Sequence, residues 1–561
     1  MLSFDFLLLK SFLEENISFF ENARVQKIQQ PTRREIILHL RNNGESRKFY
    51  ININPAFYHV CFINKANEER RNLQIPKQPP MFCMLLRKHM EGARIIKVNI
   101  PEYERILELY FENYNELGDR VEECLSIELM GKHSNVVLYN TDNNIILGCA
   151  HNIGEEKSKE RELAGGLPYI YPPKQDKKNF LNTRFDWFAA ALKKSNDILK
   201  KSIASRYFGL SQAFVEEVCF KNGVDAHCIA NSLDDVSVQK LFVYLHEVLA
   251  QERFKYSISS DYDRYSCLSD LQRTYETLND LIDDYFSYHI EKNIVSSLKA
   301  SLSIRINREL KKLNNTYAGQ KKQLDKKDKL ELYKTKGNLL TANSYAISSG
   351  QKIVSLINYE TGKSLDIELD ETKTVIENAQ RYFALYNKGK KAFQVAMEMS
   401  EKTLVEISWY KQLLYNIDIC SSFVELAEIY DELEPEKKVD AKKNKNSVTI
   451  ERREIGDFLV FIGKNNKQND YLYSKISSPD DYWFHVVNTP GSHIIAKPQN
   501  STVKMTDDIL LAVAKLAKEF STAKNATKAP VAYTLRKYVK RPQNTSSGFV
   551  VYKNEEEIVV D

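Results

Sequence analysis

Apolar and polar positions alternate over short runs in the first third of the chain, and past residue 270 they switch to a helical spacing held over two long stretches. Alternation marks a strand with one buried face, and steps of three and four mark a helix with one buried stripe. Up to about residue 175 the pattern predicts a helix over Phe4–Phe20 and strands over Arg24–Gln30, Glu35–Arg41 and Lys48–Asn54. Arg41-Asn42-Asn43-Gly44 supplies a hairpin turn between two of them. Pro79-Pro80 precedes a helix over Met81–Met90, which stops at Gly92. Strands follow at Arg94–Asn99, Arg105–Tyr110, Cys124–Leu129 and Asn135–Tyr139, and Pro168, Pro172 and Pro173 close the region.

Residues 180 to 265 carry short helical patterns. Within them Ile203–Phe220 reads as helix, turn at Phe208-Gly209-Leu210-Ser211, helix: either a helix-hairpin-helix or a plain helical hairpin. In the first case Gly209 and Ser211 are candidate phosphate contacts, because such a turn aims N–H groups at a helix N-terminus. The first long stretch has a seam of Leu302, Ile306, Leu310, Leu313 and Tyr317, and the second a seam of Tyr386, Phe393, Met397, Leu404, Ile407 and Leu414. Together they predict an antiparallel coiled-coil arm that projects, about 80 Å long for roughly 55 residues per helix. A β-hairpin, Lys352–Asn358 with Ser364–Leu369, sits at its tip. The lysine-rich Lys437–Ser447 reads as a linker. Beyond it, strands over Phe458–Ile462, Trp483–Val487, His493–Ala496, Val531–Thr534 and Phe549–Tyr552 join a helix over Asp508–Phe520.

The expected fold class is therefore multidomain α+β. Residues 1–175 form an α/β domain, 176–268 a helix-hairpin-helix-like helical domain, 269–436 the arm with its tip at 341–373, 437–447 a linker and 448–561 a second α/β domain.

The chain has 561 residues, too many for one core, and a net charge of only +5. The basic residues are concentrated instead. Lys515, Lys518, Lys524, Lys528, Arg536, Lys537, Lys540 and Arg541 are opposed within that run by Glu519 alone, with Tyr533 and Tyr538 interleaved. Basic residues beside aromatic ones suit a phosphate backbone and exposed bases; the alternative is a solvated basic face. Eight scattered cysteines include no C-x-x-C, which argues against a zinc ribbon or disulfide framework and for reduced thiols. Met1–Phe20 lacks the layout of a signal peptide and no window suits a membrane span, so the chain is expected to be cytoplasmic and to engage no membrane. Phosphate-loop, dinucleotide, zincin and nucleophile-elbow motifs are not found, and the ten histidines form no spaced ligand set, so no catalytic residue, metal or cofactor is expected.

The densest cluster of turn and polar residues runs from Gly463-Lys464-Asn465-Asn466 through Trp483-Phe484-His485 to Pro490-Gly491-Ser492-His493. It reads as a rigid corner presenting polar tips, and it resembles the signature of the RNA-binding domain of the NFACT family. Further motifs resemble the same family in the same order. They include Pro79-Pro80-Met81-Phe82-Cys83-Met84-Leu85-Leu86-Arg87, Glu128-Leu129-Met130-Gly131-Lys132-His133-Ser134-Asn135, Gly165-Gly166-Leu167-Pro168-Tyr169, Gly337-Asn338-Leu339-Leu340, Asn378-Ala379-Gln380-Arg381-Tyr382-Phe383 and Lys537-Tyr538-Val539-Lys540-Arg541-Pro542.

The resemblance implies a fold, a set of partners and a set of site residues. The N-terminal domain is similar in fold to formamidopyrimidine-DNA glycosylases, but Leu2 stands where that class has its proline nucleophile. The family's bacterial branch implies a ribosome quality-control factor. It binds split large subunits carrying peptidyl-tRNA, at rRNA and a stalk-base protein, and recruits tRNA, expected to be tRNA-Ala, for untemplated poly-alanine tailing. The ribosome itself forms the peptide bonds, and a small RNA-binding protein is a further possible partner. The family's acid-Arg pair for tRNA, usually Asp-Arg, corresponds here to Glu104 and Arg105; read without the family, it is a surface strand pair. The expected RNA contacts of the C-terminal domain are Asn465, Asn466, Trp483, His485, Ser492, His493, Lys537, Tyr538, Lys540 and Arg541. Older names for the family imply the alternative of a fibronectin-binding adhesin, and the fold likeness a DNA glycosylase.

Overall fold

The strand-period segments of the first third pair into one nine-stranded sheet in a computed structural model. It describes residues 4–114, 118–154, 156, 161–173, 176–250, 254–348, 350–433, 450–500, 503–541 and 550–561. The strands are β1 (Arg24–Thr32), β2 (Glu35–Asn42), β3 (Glu45–Asn52), β4 (His59–Ile63), β5 (Arg94–Asn99), β6 (Ile106–Tyr114), β7 (Arg120–Glu128), β8 (Asn135–Asn140) and β9 (Ile146–Cys149). Their order is β4-β3-β2-β1-β5-β6-β7-β8-β9, and all pairings are antiparallel. The β2–β3 turn places Asn43 and Gly44 at φ 47° and 84°. Both values lie in the left-handed region that a tight hairpin requires, which explains Asn-Gly there.

Helix α1 (Phe6–Phe20) packs Leu9, Phe12 and Phe20 into the core beneath this sheet, and Asp5 caps it by accepting from the Leu8 N–H at 3.1 Å. Two further helices, α2 (Lys65–Arg70) and α3 (Met81–Met90), follow β4. The helical region comprises α4 (Phe185–Lys193), α5 (Leu199–Arg206), α6 (Gln212–Lys221) and α7 (Asp235–Leu249) around their own core of Phe188, Ile203, Val215 and Leu241. A small sheet of β10 (Tyr256–Ile258), β11 (Tyr265–Ser266) and β12 (Arg273–Tyr275) comes next.

The chain divides into two compact units, Met1–Asn293 and Ile294–Asp561, and helix α8 (Leu278–Leu324) runs from one into the other. Its first turns are fastened to the first unit by polar groups. The Asn279 side chain accepts from the Phe62 N–H at 2.7 Å and donates to the Phe62 carbonyl at 3.0 Å. Four residues on, Asp283 pairs with Arg71 at 2.7 Å with both side chains almost fully buried.

In the second unit α9 (Lys327–Ala342) and α10 (Val375–Ile419) flank the predicted tip hairpin, now β13 (Ile353–Ile357) and β14 (Ser364–Glu368). At 1.5 Å per residue the 45 residues of α10 extend about 68 Å. The pairing is antiparallel: Lys299 on α8 meets the Asp418 carbonyl, Gln320 meets Thr403, and a Cβ at Gly337 would meet Phe383. On α8 the predicted stripe is right, with Leu302, Ile306 and Leu310 buried. On α10 it needs correction. Met397 and Leu404 are 51% and 45% exposed, and the buried stripe is Ala396, Ser400, Thr403 and Ile407. Small residues let two helices approach closely, and their weak apolar signal hid the seam.

After α11 (Phe423–Leu433) the predicted linker lies outside the described residues, as do Val448, Pro542 and Phe549. The last domain has β15 (Glu451–Ile455), β16 (Phe458–Gly463), β17 (Tyr482–Val486), β18 (His493–Pro498), β19 (Ala529–Leu535), the short pair β20 (Val539–Lys540) and β21 (Val551–Tyr552), and β22 (Glu556–Val560). Its six-stranded sheet, β15-β16-β18-β17-β19-β22, is wholly antiparallel. Helix α12 (Asn466–Tyr471) follows β16, and α13 (Asp507–Glu519) covers one face through Val513, Ala514 and Leu516. Both terminal domains were expected to be α/β; their antiparallel sheets make them α+β, because hairpins rather than crossover helices join the strands.

Candidate nucleic-acid interface

Glu104 and Arg105 lie in the turn that leads into β6, not within a strand. Tyr103 stands at φ 60°, and the Glu104 N–H donates to the Pro101 carbonyl at 2.9 Å. That left-handed tyrosine is held on three sides. Its ring stacks on Phe208 at 4.9 Å and tilts against Phe6 at 5.6 Å, and Asn179 donates to its hydroxyl. The turn is thus fixed jointly by α1, by the α5–α6 loop and by the segment before α4, three pieces far apart in sequence.

Gly209 and Ser211, expected as phosphate contacts, belong to this support. Gly209 has φ 74°, and a Cβ there would lie 2.9 Å from Phe6 Cδ1. Ser211 caps α6 by accepting from the Phe214 N–H at 3.1 Å, and its hydroxyl also reaches Asp5, whose carboxyl is pushed up by burial. The Ser211 hydroxyl is thus engaged inside the protein. The hairpin packs behind the Glu104–Arg105 turn through Phe6 and Phe208.

Both residues of the pair are half-buried. Burial pushes the Glu104 carboxyl above its ordinary value, against the opposing charges of Arg105, Lys177 and Arg161. A carboxylate that accepts beside a guanidinium that donates can read a nucleobase edge, which presents both kinds of group. Either charge alone would favour phosphate or repel it.

In the C-terminal domain Lys515, Lys524, Lys528, Lys537, Tyr538, Lys540 and Arg541 are exposed as expected, whereas Lys518 is buried. Lys537 meets Asp480 at 3.0 Å and Arg541 meets Asp470 at 2.8 Å, in exposed pairs that cost little to open. Arg536 is held inward, its guanidinium 3.9 Å from the centroid of the Tyr473 ring.

The asparagine- and histidine-rich corner is turned inward. Asn465, Asn466, Trp483, Ser492 and His493 are buried and His485 is half-buried, so the expectation that they present polar tips is corrected. Their partners lie on the last turns of α10 and on α11. Asn465 donates to Glu428 at 3.2 Å and Asn466 to Glu432 at 2.8 Å, while Asn416 donates to Asn466 at 3.3 Å. The Gln412 amide clasps the Gly491 backbone, donating to its carbonyl at 2.9 Å and accepting from its N–H at 3.1 Å. Trp483 stacks parallel to His485 at 5.8 Å and meets His493 edge-on at 5.6 Å. These residues cost something to bury, and they are spent on a joint between α10–α11 and the final sheet. Gln412→Ala should therefore speed amide exchange at Gly491 by roughly ten-fold or more while leaving β1–β9 untouched, as hydrogen exchange read by mass spectrometry will show.

Residues 5–451 match the family model described as NFACT N-terminal and middle domains, and residues 448–554 match the NFACT protein RNA binding domain. The chain belongs to the NFACT family. It is 30% identical to the Rqc2 homolog RqcH of Bacillus subtilis, over 100% of this chain and 98% of that protein, and 28% identical to the RqcH of Streptococcus pneumoniae D39 over the same shares. A solved structure described as the N-terminal of the fibronectin/fibrinogen-binding protein from Streptococcus suis is 27% identical, with a TM-score of 0.41, and covers 51% of this chain and 99% of that one.

In this NFACT chain the two family segments meet at residues 448–451, and the joint links the last helices of the first segment to the start of the RNA-binding domain. Among the described residues no helix is long and apolar enough to cross a membrane. What sequence reading missed at the N-terminal turn is its support: Tyr103, Asn179 and Phe208 carry no motif, and only folding brings them together.

Proposed function

We propose that this protein is a ribosome quality-control factor. It binds large subunits obstructed by peptidyl-tRNA and recruits tRNA, expected to be alanyl-tRNA, for untemplated C-terminal tailing of the stalled chain. The observation that carries this reading is similarity to RqcH proteins along the full length of both chains. The acid-Arg turn and the basic, tyrosine-bearing surface of the RNA-binding domain suit a protein that holds tRNA at two places. Peptide-bond formation belongs to the ribosome in this reading, and the protein is a positioning device rather than an enzyme. The large subunit's rRNA and stalk-base protein are its expected partners.

Sequencing of the RNA that co-purifies with the protein on large subunits tests the proposal. Enriched tRNA-Ala is expected from the unaltered protein. Arg105→Ala should lower that tRNA by about 100-fold, a loss of about 2.7 kcal/mol in binding, in protein that is still folded, as its far-ultraviolet circular dichroism will show. Glu104→Asp, which keeps the charge, should retain it. Equal tRNA recovery with Arg105→Ala would overturn the assignment. A fibronectin-binding role, named in the description of the solved relative, predicts instead capture on immobilised fibronectin regardless of Arg105.

A further inference from the structure

The chain has three tryptophans. Trp483 is 2% exposed, whereas Trp187, in the first turn of α4, is 58% exposed. Tryptophan is the side chain that gains most from burial, so an open indole asks what covers it. Its surroundings point to one class of partner. Lys178 Nζ and Arg184 Cζ each lie 5.9 Å from the ring centroid. Arg184 also pairs with the exposed Asp186 at 3.1 Å, a contact that water and salt weaken. A flat aromatic face bordered by two cations is the arrangement that stacks a base while its phosphate is neutralised.

Segment 177–179 runs from the acid-Arg turn to this ring. Lys177 senses the charges of both Arg105 and Glu104, Lys178 borders Trp187, and Asn179 donates to the Tyr103 hydroxyl. The segment is pinned by the Lys178 N–H to the Arg206 carbonyl at 2.9 Å and by the Phe208 N–H to the Lys178 carbonyl at 3.0 Å. The turn and the open indole are therefore held in fixed relation within one unit, with lysines between them.

We infer that Trp187, bordered by Lys178 and Arg184, is a stacking platform for an unpaired nucleotide of the RNA engaged at the Glu104–Arg105 turn. This rests on the reading of that turn as a tRNA contact. The indole contributes stacking without regard to base identity, and Lys178 and Arg184 contribute phosphate contacts. Selectivity is left to Glu104 and Arg105.

Binding of the full chain to deacylated bulk tRNA, followed by tryptophan emission, tests it. Trp187→Ala should weaken binding about ten-fold with no change in the salt slope, since no cation is lost. Trp187→Phe should stay within about three-fold of the unaltered protein, because the ring is kept. Lys178→Ala with Arg184→Ala should instead lower the salt slope by about 1.5, since two phosphate contacts are lost. tRNA should quench emission of the unaltered protein, and most of that quenching should vanish in Trp187→Phe. If Arg105→Ala loses binding while Trp187→Ala does not, the stacking platform is wrong and the tRNA turn stands. If the unaltered protein binds no tRNA, the functional reading fails and takes this inference with it. A matching loss in the alanine and phenylalanine variants without quenching would also overturn it.

Discussion

Asp283→Ala is expected to destabilise the first unit by about 3–5 kcal/mol, the range seen when one partner of a buried ion pair is removed. The Arg71 side chain is 0% exposed and the Asp283 side chain 1%, and they meet at 2.7 Å. The carboxylate also accepts from the Asn64 N–H at 3.1 Å and from the Asn67 amide at 2.9 Å. Removing it leaves a cation in a site that water cannot reach, together with two donors that lose their acceptor. The neighbours cannot take over. His59 stacks on Phe286 at 4.0 Å, and burial together with the charge of Arg71 holds its ring well below its ordinary pKa, so it stays neutral. Cys61 is pushed up to about 12 by burial and also stays neutral. Urea unfolding monitored by far-ultraviolet circular dichroism measures the loss. Replacing the pair together, as Arg71→Met with Asp283→Leu, should recover most of it, because the desolvation of both charges disappears along with their attraction. A loss below about 1 kcal/mol for Asp283→Ala would mean that water reaches the pair. The pair joins the end of α2 to the first turns of α8, so its failure should also loosen the start of the long helix.

Legibility from sequence followed the physics of each element. β2 was plain because its turn to β3 needs left-handed residues and Asn43-Gly44 supplies them. β4 was missed because all five of its residues are buried, so it has no alternation to detect. The stripe of α10 was assigned to its largest apolar residues, but the helix turns Ala396, Ser400 and Thr403 inward instead. The misreading of the Asn465–His493 corner has a different cause. Asparagine, glutamine and histidine are usually at the surface, and here they are buried because Gln412, Asn416, Glu428 and Glu432 supply partners from another part of the chain. No local pattern reports such pairing. Family likeness pointed to that corner without saying which way it faces. Trp187 escaped notice for the converse reason: an apolar residue at a helix start reads as core, and only coordinates show it in the open.

Acidification should weaken the C-terminal domain through two buried histidines. Burial lowers the pKa of both His485 and His493, that of His493 well below its ordinary value with His485 adding to the shift. A base with a depressed folded pKa takes up its proton in the unfolded chain first. Above pH of about 6.5 neither state is protonated and stability is level. Below it the unfolded state binds more protons, so stability falls as pH falls, until the folded pKa is reached. Each such histidine contributes about 1.4 kcal/mol per pH unit in that window, so the two together give a slope of about 2.7 kcal/mol per unit. Glu432 works in the other direction. Its carboxyl is pushed up by burial, so the folded state gains a proton first on the way down, and this recovers part of the loss in the window just above pH 4.5. The contribution of the two histidines should be flat above pH of about 6.5, fall below it, and level off once their folded pKa values are passed. Trp483 lies against both imidazoles, so its emission reports the change locally. The double variant His485→Gln with His493→Gln should have lower stability at pH of about 7.5 but little slope just below pH of about 6.5. An unchanged slope in that variant would place the acid sensitivity elsewhere. Because the same rings border the joint with α10 and α11, loss of the Gln412–Gly491 clasp should track the same pH window, and amide exchange at Gly491 is the measurement that links the two.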